Sequence, residues 1–202
     1  LQVMKTYKIF IAGHSGMVGS AIKRCLIKKG YTNLLCPSRK ELNLLSFNEV
    51  EKWFKNNKPD IVILAAAKVG GIYANSEYKA DFILENLKIQ NNVIENAWKF
   101  NVKRFLFLGS SCIYPKYAEQ PILEDSLLNG SLEPTNQWYA IAKISGIKLC
   151  ESLRLQYGFD AISVMPTNLY GKNDNFSLDD GHVIPALIHK CYLAKKNNVK
   201  KV

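Results

Sequence analysis

Apolar residues fall in five short, nearly unbroken runs, at residues 7–12 (YKIFIA), 33–37 (NLLCP), 60–66 (DIVILAA), 104–109 (RFLFLG) and 161–166 (AISVMP). Runs of this length and composition predict strands covered on both faces. Between them the apolar positions recur every three to four residues, over 17–29, 47–56, 81–100 and 138–157. A further helical pattern runs from 182 to 195. Each has the spacing of one helix face. Strand and helix therefore alternate, which predicts βαβ units and an α/β, doubly wound parallel sheet of Rossmann type with helices on both faces. Ligands of such sheets bind at the carboxyl ends of the strands.

Composition narrows this picture. The chain has 202 residues, 48% hydrophobic and 22% charged, enough for one domain or one domain plus part of a second. No apolar stretch is long enough to span a bilayer, and the expected partners do not include a membrane. The start, LQVMKTYKIF, lacks a long apolar segment, so no signal peptide is expected, and Met4 is the expected start, with Leu1–Val3 a leader or a translation artefact. The five cysteines, Cys25, Cys36, Cys112, Cys150 and Cys191, are odd in number and form no CxxC pair. They predict free thiols in a reducing cytoplasm rather than disulfides or a zinc site, and no metal is expected. A net charge of +10 raises nucleic acid as a partner. The lysines are scattered over helical faces and loops, dense only in the tail, and no nucleic-acid-binding motif is present. The expectation is a solvated basic surface, which also suits a small anionic ligand.

The segment AGHSGMVGSAI follows the first strand and opens the first helix, with glycines at Gly13, Gly16 and Gly19. One glycine makes the tight turn, one admits a pyrophosphate to the backbone, and one lets the helix pack against the strand. The helix N-terminus then offers free N–H groups to the phosphates. A plain tight turn has the same glycines. The strand–turn–helix context is what points to a dinucleotide. At the end of the second strand, LLCPSRKEL presents no acid at its tip but does present Arg39. Arginine suits the 2′-phosphate of NADP, whereas an acid there suits the ribose of NAD.

The helix NQWYAIAKISGIKL holds Tyr139 and Lys143, four residues apart and so on one face. A tyrosine with its ordinary pKa is a poor proton carrier at neutral pH. A nearby ammonium is expected to lower it and so make a general acid/base for carbonyl reduction. Ser110 or Ser111, in SSCIYP at the fourth strand's tip, is placed to bond the same carbonyl oxygen. Cys112 in that stretch is open to two readings, a buried filler or a catalytic acid.

The Gly-rich turn, the strand-end serine and the YxxxK helix together resemble the extended short-chain dehydrogenase/reductases, which act on nucleotide sugars. The finer stretches AAAKVGGI, LGSSCIYP, LEPTNQWYAIAKISGIKLCE, VMPTNLYG and HVIPALI carry the resemblance from Lys8 to His189. They look like the branch that epimerises a GDP-linked 4-keto-6-deoxymannose at C3 and C5 and then reduces C4 with NADPH. The resemblance implies a reductase triad of Ser110, Tyr139 and Lys143, and an epimerising acid/base pair of Cys112 and His182. It implies that Gly13, His14, Ser15, Gly16, Met17, Val18 and Gly19 hold the pyrophosphate, and that Arg39 meets the 2′-phosphate. Leu108, Gly109, Ser110, Ser111 and Lys143, with Pro166, Thr167, Asn168, Leu169 and His182, are implied to line the nicotinamide end. Lys190 is implied to begin the contacts with the GDP-sugar. A homodimer built on the two long helices, 81–100 and 138–157, is also implied.

Ser15 departs from the family, whose members often carry a basic residue there, and this leaves Arg39 more alone. On this reading residues 4–175 form the NADP-binding domain and 176–202 begin a substrate region that stops short. The chain is accordingly expected to be a piece of a longer protein. Two alternatives stay open: another NAD(P)-dependent nucleotide-sugar epimerase or dehydratase, and a module that binds NADP without turnover. His14 and His189 are expected to be a loop polar residue and a helix-surface residue. The four other cysteines are expected to be core or half-buried fillers, and Trp53, Trp98 and Trp138 to be packing residues. Asp174, Asp179 and Asp180 lack the spacing of a calcium loop.

Overall fold

The computed structural model describes residues 4–178 and 181–199. The expected leader, Asp179, Asp180 and the last three residues of the basic tail lie outside the described residues.

Five parallel strands form one sheet: β1 (Ile9–Ala12), β2 (Leu34–Leu35), β3 (Ile61–Leu64), β4 (Arg104–Leu108) and β5 (Ala161–Val164), in the order β2-β1-β3-β4-β5. Among the described residues six helices accompany them: α1 (Met17–Lys28), α2 (Phe47–Asn57), α3 (Ile72–Glu77), α4 (Lys79–Lys99), α5 (Gln137–Tyr157) and α6 (Val183–Lys196). The chain leaves β1 toward β2 and returns on the other side of β1 for β3. The switch point, where such sheets bind ligands, is thus between the tips of β1 and β3.

The period-two alternation of each strand sorts its side chains between two cores. Phe10, Val62, Leu64, Phe105 and Phe107 point to the side of α2, α4 and α5, where Val50, Phe54, Val93, Ile94, Ile147 and Leu153 meet them. Ile9, Ile11, Ile61 and Ile63 point to the other side, against Ile22 and Leu26 of α1. Helices therefore lie on both faces, as expected. Over β5 the second face is barer, with Ile162 and Val164 37% and 41% exposed.

Most differences from the expected elements lie at strand ends. The second strand shortens to two residues, pairing only Ile9 with Leu34 and Phe10 with Leu35. It is an edge strand, and Pro37 has no N–H to extend the ladder. The fifth ends before Pro166 for the same reason. Helix α3 was not expected: its six residues, IYANSE, are too few to show a period. Cys25 and Cys191 correct the filler expectation, since both are exposed, whereas Cys150 is buried as expected. Trp53 packs on Phe10 (ring centroids 4.3 Å apart) and Trp98 on Tyr157 (4.7 Å), as expected of packing residues.

Candidate active site

At the tip of β1 the chain turns through Gly13, whose φ is +85°. A Cβ there would sit 2.6 Å from the Ala66 nitrogen in the loop after β3, so only glycine fits. Gly19 is buried where α1 packs back on the turn. Gly16 differs: a Cβ on it would meet only the Gly13 carbonyl oxygen, at 3.6 Å. Its backbone is therefore open to approach. Gly16 also caps α1, which has no side-chain cap and no acidic residue in its first turn. The free N–H groups and positive end of the helix point into that open space. This cradle fits the pyrophosphate of a dinucleotide. His14, Met17 and Val18 are half-buried around it and Ser15 is exposed.

Beyond β2, Arg39 is exposed in the turn where an adenosine end would lie. The same turn holds an acid that the linear reading passed over. The Ser38 N–H and hydroxyl donate to one Glu41 carboxylate oxygen at 2.7 and 2.8 Å. Those bonds hold the Glu41 carboxyl below the usual range. Burial and Lys23 lower the His14 pKa, and Glu41 opposes them, so the two residues are electrostatic neighbours. The Ser-x-x-Glu spacing at 38–41, typical of reciprocal capping, was the available signal.

The residues expected at the reacting end gather at the tip of β4. Two hydrogen bonds continue the β4–β5 ladder beyond the strands: Gly109 N–H to the Val164 carbonyl (2.8 Å) and Ser111 N–H to the Pro166 carbonyl (3.1 Å). They bring Leu108, Gly109, Ser110 and Ser111 beside Pro166. Thr167, Asn168 and Leu169 follow it, exposed. Ser110 begins a single 3-10 turn, Ser111–Ile113. Its Oγ accepts the Cys112 N–H at 3.4 Å and lies 3.1 Å from the Cys112 Sγ.

Helix α5 places Lys143 across from this turn. Lys143 is 4% exposed, and its Nζ donates to the Leu108 carbonyl at 2.8 Å. The ammonium also lies 4.9 Å from the Phe107 ring centre and 5.7 Å from that of Tyr139. Burial pushes the Lys143 pKa down to about 8, with the Cys112 charge opposing. Burial, and then Cys112, raise the Tyr139 phenol above its ordinary value. The expected lowering of that phenol by Lys143 is thus corrected. Desolvation wins, because the ammonium is engaged by the Leu108 carbonyl and the tyrosine is itself half-buried. A phenol kept protonated is suited to give a proton rather than take one. Burial also raises the Cys112 thiol, while the Ser110 hydrogen bond and then Lys143 pull the other way. Ser110, Cys112, Tyr139 and Lys143 therefore form one electrostatic cluster.

His182 and Lys190 belong to α6. His182 is the exposed N-cap residue of α6, and Lys190 is exposed on the same helix. The charge that acts on Cys112 comes from Lys143. His189, expected on the helix surface, has its Nδ1 2.7 Å from the Phe176 carbonyl.

The family model described as "NAD dependent epimerase/dehydratase family" matches residues 9–202. The chain belongs to that family. Among its relatives, Putative GDP-L-fucose synthase 2 of Arabidopsis thaliana is 60% identical over 98% of this chain and 60% of its own length. GDP-L-fucose synthase of Escherichia coli (strain K12) is 55% identical over 98% of this chain and 62% of its own. The chain spans about three fifths of the length of the curated relatives it matches. A solved GDP-D-glycero-L-gluco-heptose synthase from Campylobacter jejuni, in the presence of NADPH, superposes with a TM-score of 0.92 at 42% identity. That match covers 98% of this chain and 58% of the other. A GDP-L-fucose synthetase from Naegleria fowleri bound to NADP gives 0.89 at 31%, covering 100% and 66%.

In this member of the epimerase/dehydratase family, a further polar element supports the site from behind. Asn86 on α4 is 2% exposed and binds both backbone groups of Lys68 in the loop after β3. Its Oδ1 accepts the Lys68 N–H (2.9 Å), and its Nδ2 donates to the Lys68 and Phe82 carbonyls (3.0 and 2.7 Å). Lys68 is paired with Glu85 and Asp81 of the same helix. The loop so held contains Ala66, the wall against Gly13. One turn along α4, Gln90 donates to the Ala142 carbonyl at 2.7 Å, one residue before Lys143. The linear reading missed both. Their signal was an amide at two core-facing positions of an otherwise apolar stripe. Among the described residues no group of His, Cys, Asp or Glu is arranged to hold a metal, and no helix is long and apolar enough to cross a membrane.

Proposed function

We propose that the chain carries the reaction centre of an NADPH-dependent enzyme that epimerises GDP-4-keto-6-deoxy-D-mannose at C3 and C5 and reduces C4, giving GDP-L-fucose. The observation that carries this reading is the Cys112 thiol within hydrogen-bond reach of Ser110, in electrostatic contact with Tyr139 and Lys143. Reduction alone has no use for a thiol at that place. Moving protons on the carbons beside a ketone does. Relatives 55–60% identical that are named GDP-L-fucose synthase support the same choice of substrate.

The C4 ketone acidifies the protons on C3 and C5. Removing one leaves an enolate whose charge rests on the C4 oxygen, where Ser110 and Tyr139 donate hydrogen bonds. Cys112 carries a proton on one side of the ring. His182, at the start of α6, is the partner from the other side, and inversion needs both faces. Lys190 contacts the nucleotide part. NADPH, when bound, supplies the hydride for C4. The open backbone at Gly16 receives its pyrophosphate and Arg39 its 2′-phosphate, while Lys143 holds its ribose end next to the ketone. Tyr139 then protonates the C4 alkoxide. Residues 4–175 form the cofactor domain and 176–202 begin the substrate region. A homodimer on α4 and α5, in the reducing cytoplasm that five free cysteines suit, completes the reading.

A second reading has its own support. A GDP-mannoheptose C4 reductase from Campylobacter jejuni, with NADP bound, superposes at a TM-score of 0.89 and 41% identity. The protein is mixed with NADPH and GDP-4-keto-6-deoxy-D-mannose in deuterated water, following NADPH loss and deuterium at C3 and C5. Both signals are expected, and Cys112→Ser removes the deuterium more than the NADPH binding. NADPH loss without deuterium supports the C4 reductase instead. Cofactor binding with neither signal leaves a dinucleotide-binding module.

A further inference from the structure

We propose that Ser110 serves the thiol as well as the ketone: its single hydroxyl proton alternates between the Cys112 sulfur and the C4 oxygen, so that proton uptake at Cys112 releases Ser110 to stabilise the enolate. The inference rests on the reaction proposed above and adds a second task to one of its residues.

The geometry is specific. Ser110 Oγ is held by the Cys112 backbone N–H at 3.4 Å and lies 3.1 Å from Cys112 Sγ. A serine hydroxyl has one proton to donate and two lone pairs to accept with. One lone pair takes the Cys112 N–H. The other lone pair and the O–H remain for two clients, the sulfur and the ketone oxygen. While Cys112 is a thiolate, the best acceptor for the O–H is the sulfur, since hydrogen bonds to charged groups are the stronger ones. When a substrate C–H bond breaks, its proton forms the S–H bond and its electron pair stays as the enolate, with the charge on the C4 oxygen. The S–H then donates to Ser110 Oγ, and the Ser110 O–H is released to that oxygen. No atom is left over, and the hydroxyl proton is never transferred.

The surroundings favour this exchange. Lys143 on α5 is the charged group that acts on Cys112, and it is tied to the Leu108 carbonyl; Cys112 in turn acts on Tyr139, on the same helix. Burial disfavours the thiolate, and the hydrogen bond from Ser110 is the largest influence opposing it. A thiolate in this place therefore depends on Ser110.

The test needs neither sugar nor cofactor. The rate at which iodoacetamide alkylates each cysteine is measured against pH by peptide mass spectrometry, for the wild-type protein, Ser110→Ala and Ser110→Thr. Removing a hydrogen bond to a charged group leaves roughly tenfold less thiolate at a given pH. Each remaining thiolate is more nucleophilic, which returns about threefold. Ser110→Ala is thus expected to slow Cys112 alkylation about threefold below the thiol's midpoint and to move the profile to higher pH. Ser110→Thr, which keeps the hydroxyl, restores it. Exposed Cys25 and Cys191 are internal references, and continued protection of buried Cys150 reports that each variant is folded. A third variant, Tyr139→Phe, removes a neighbour without touching the Ser110 bond and leaves Cys112 below its midpoint no slower than wild type. A Cys112 profile unchanged in folded Ser110→Ala overturns the proposal whatever the catalytic assays show. If the wild-type protein alkylates as expected but exchanges no deuterium, the proposed reaction fails and the Ser110–Cys112 coupling stands.

Discussion

Lys143→Met is expected to make the protein more stable at neutral pH while removing the proposed reductase chemistry. Lys143 is 4% exposed, and burial lowers its pKa from 10.5 to about 8. Folding therefore weakens proton binding at this site, which costs about 3 kcal/mol at pH 7 on the scale of ~1.4 kcal/mol per pH decade. Methionine has nearly the same length and no charge. It forgoes the bond to the Leu108 carbonyl, about 1 kcal/mol, and the contact with the Phe107 ring, about 0.5–1 kcal/mol. The net gain at pH 7 is then about 1 kcal/mol. Between pH 8 and 10.5 the unfolded chain still holds the proton while the folded one has lost it, so the wild-type protein gains stability as pH rises through this window. The difference should shrink and reverse by about pH 10, where the wild-type amine is neutral in the folded state and keeps its hydrogen bond. Urea unfolding at pH 7 and pH 10, followed by circular dichroism, reads both values. A variant less stable at pH 7, by an amount that does not change with pH, refutes the reasoning, because Lys143 would then be buried without electrostatic cost.

Tyr139→Phe removes the proposed proton donor and should slow reduction roughly 10²–10⁴-fold in an NADPH-absorbance assay, with NADPH affinity nearly unchanged. A near-normal rate would remove Tyr139 from the mechanism. Gly146→Ala would place a Cβ 2.5 Å from Phe107 Cζ, under the strand that leads to Ser110. It should lower stability by about 1–3 kcal/mol in urea unfolding, and an unchanged midpoint would mean that Phe107 yields freely. Asn86→Ala orphans the Lys68 N–H and carbonyl. A loss of about 1–3 kcal/mol and faster amide exchange at Lys68 and its neighbours are expected, and exchange at the wild-type rate would show that Asn86 does not hold the loop.

The alternation of apolar runs was enough to place every strand, because strands covered on both faces must be apolar almost without break. The long helices were equally legible, each being paced by the one face it buries. Short α3 and the 3-10 turn of Ser111–Ile113 were not, since six residues or fewer set no period. The Gly-rich turn and the Tyr139–Lys143 spacing were readable because both are local: a turn needing Gly13, and one helical repeat.

What the linear chain could not convey is everything that depends on which elements meet. Glu41 folding back toward His14, Asn86 clasping Lys68 and Gln90 reaching Ala142 join residues by hydrogen bonds or fields that arise only on packing. The charge states are the clearest case. YxxxK as a pattern implied a phenol lowered by its lysine, and the fold desolvates both, burying Lys143 and half-burying Tyr139, so that the phenol rises and the ammonium weakens. Sequence determined which groups share a helix face, since that follows from 3.6 residues per turn. Only tertiary structure decided their protonation, since desolvation is a property of the packed site and not of the spacing.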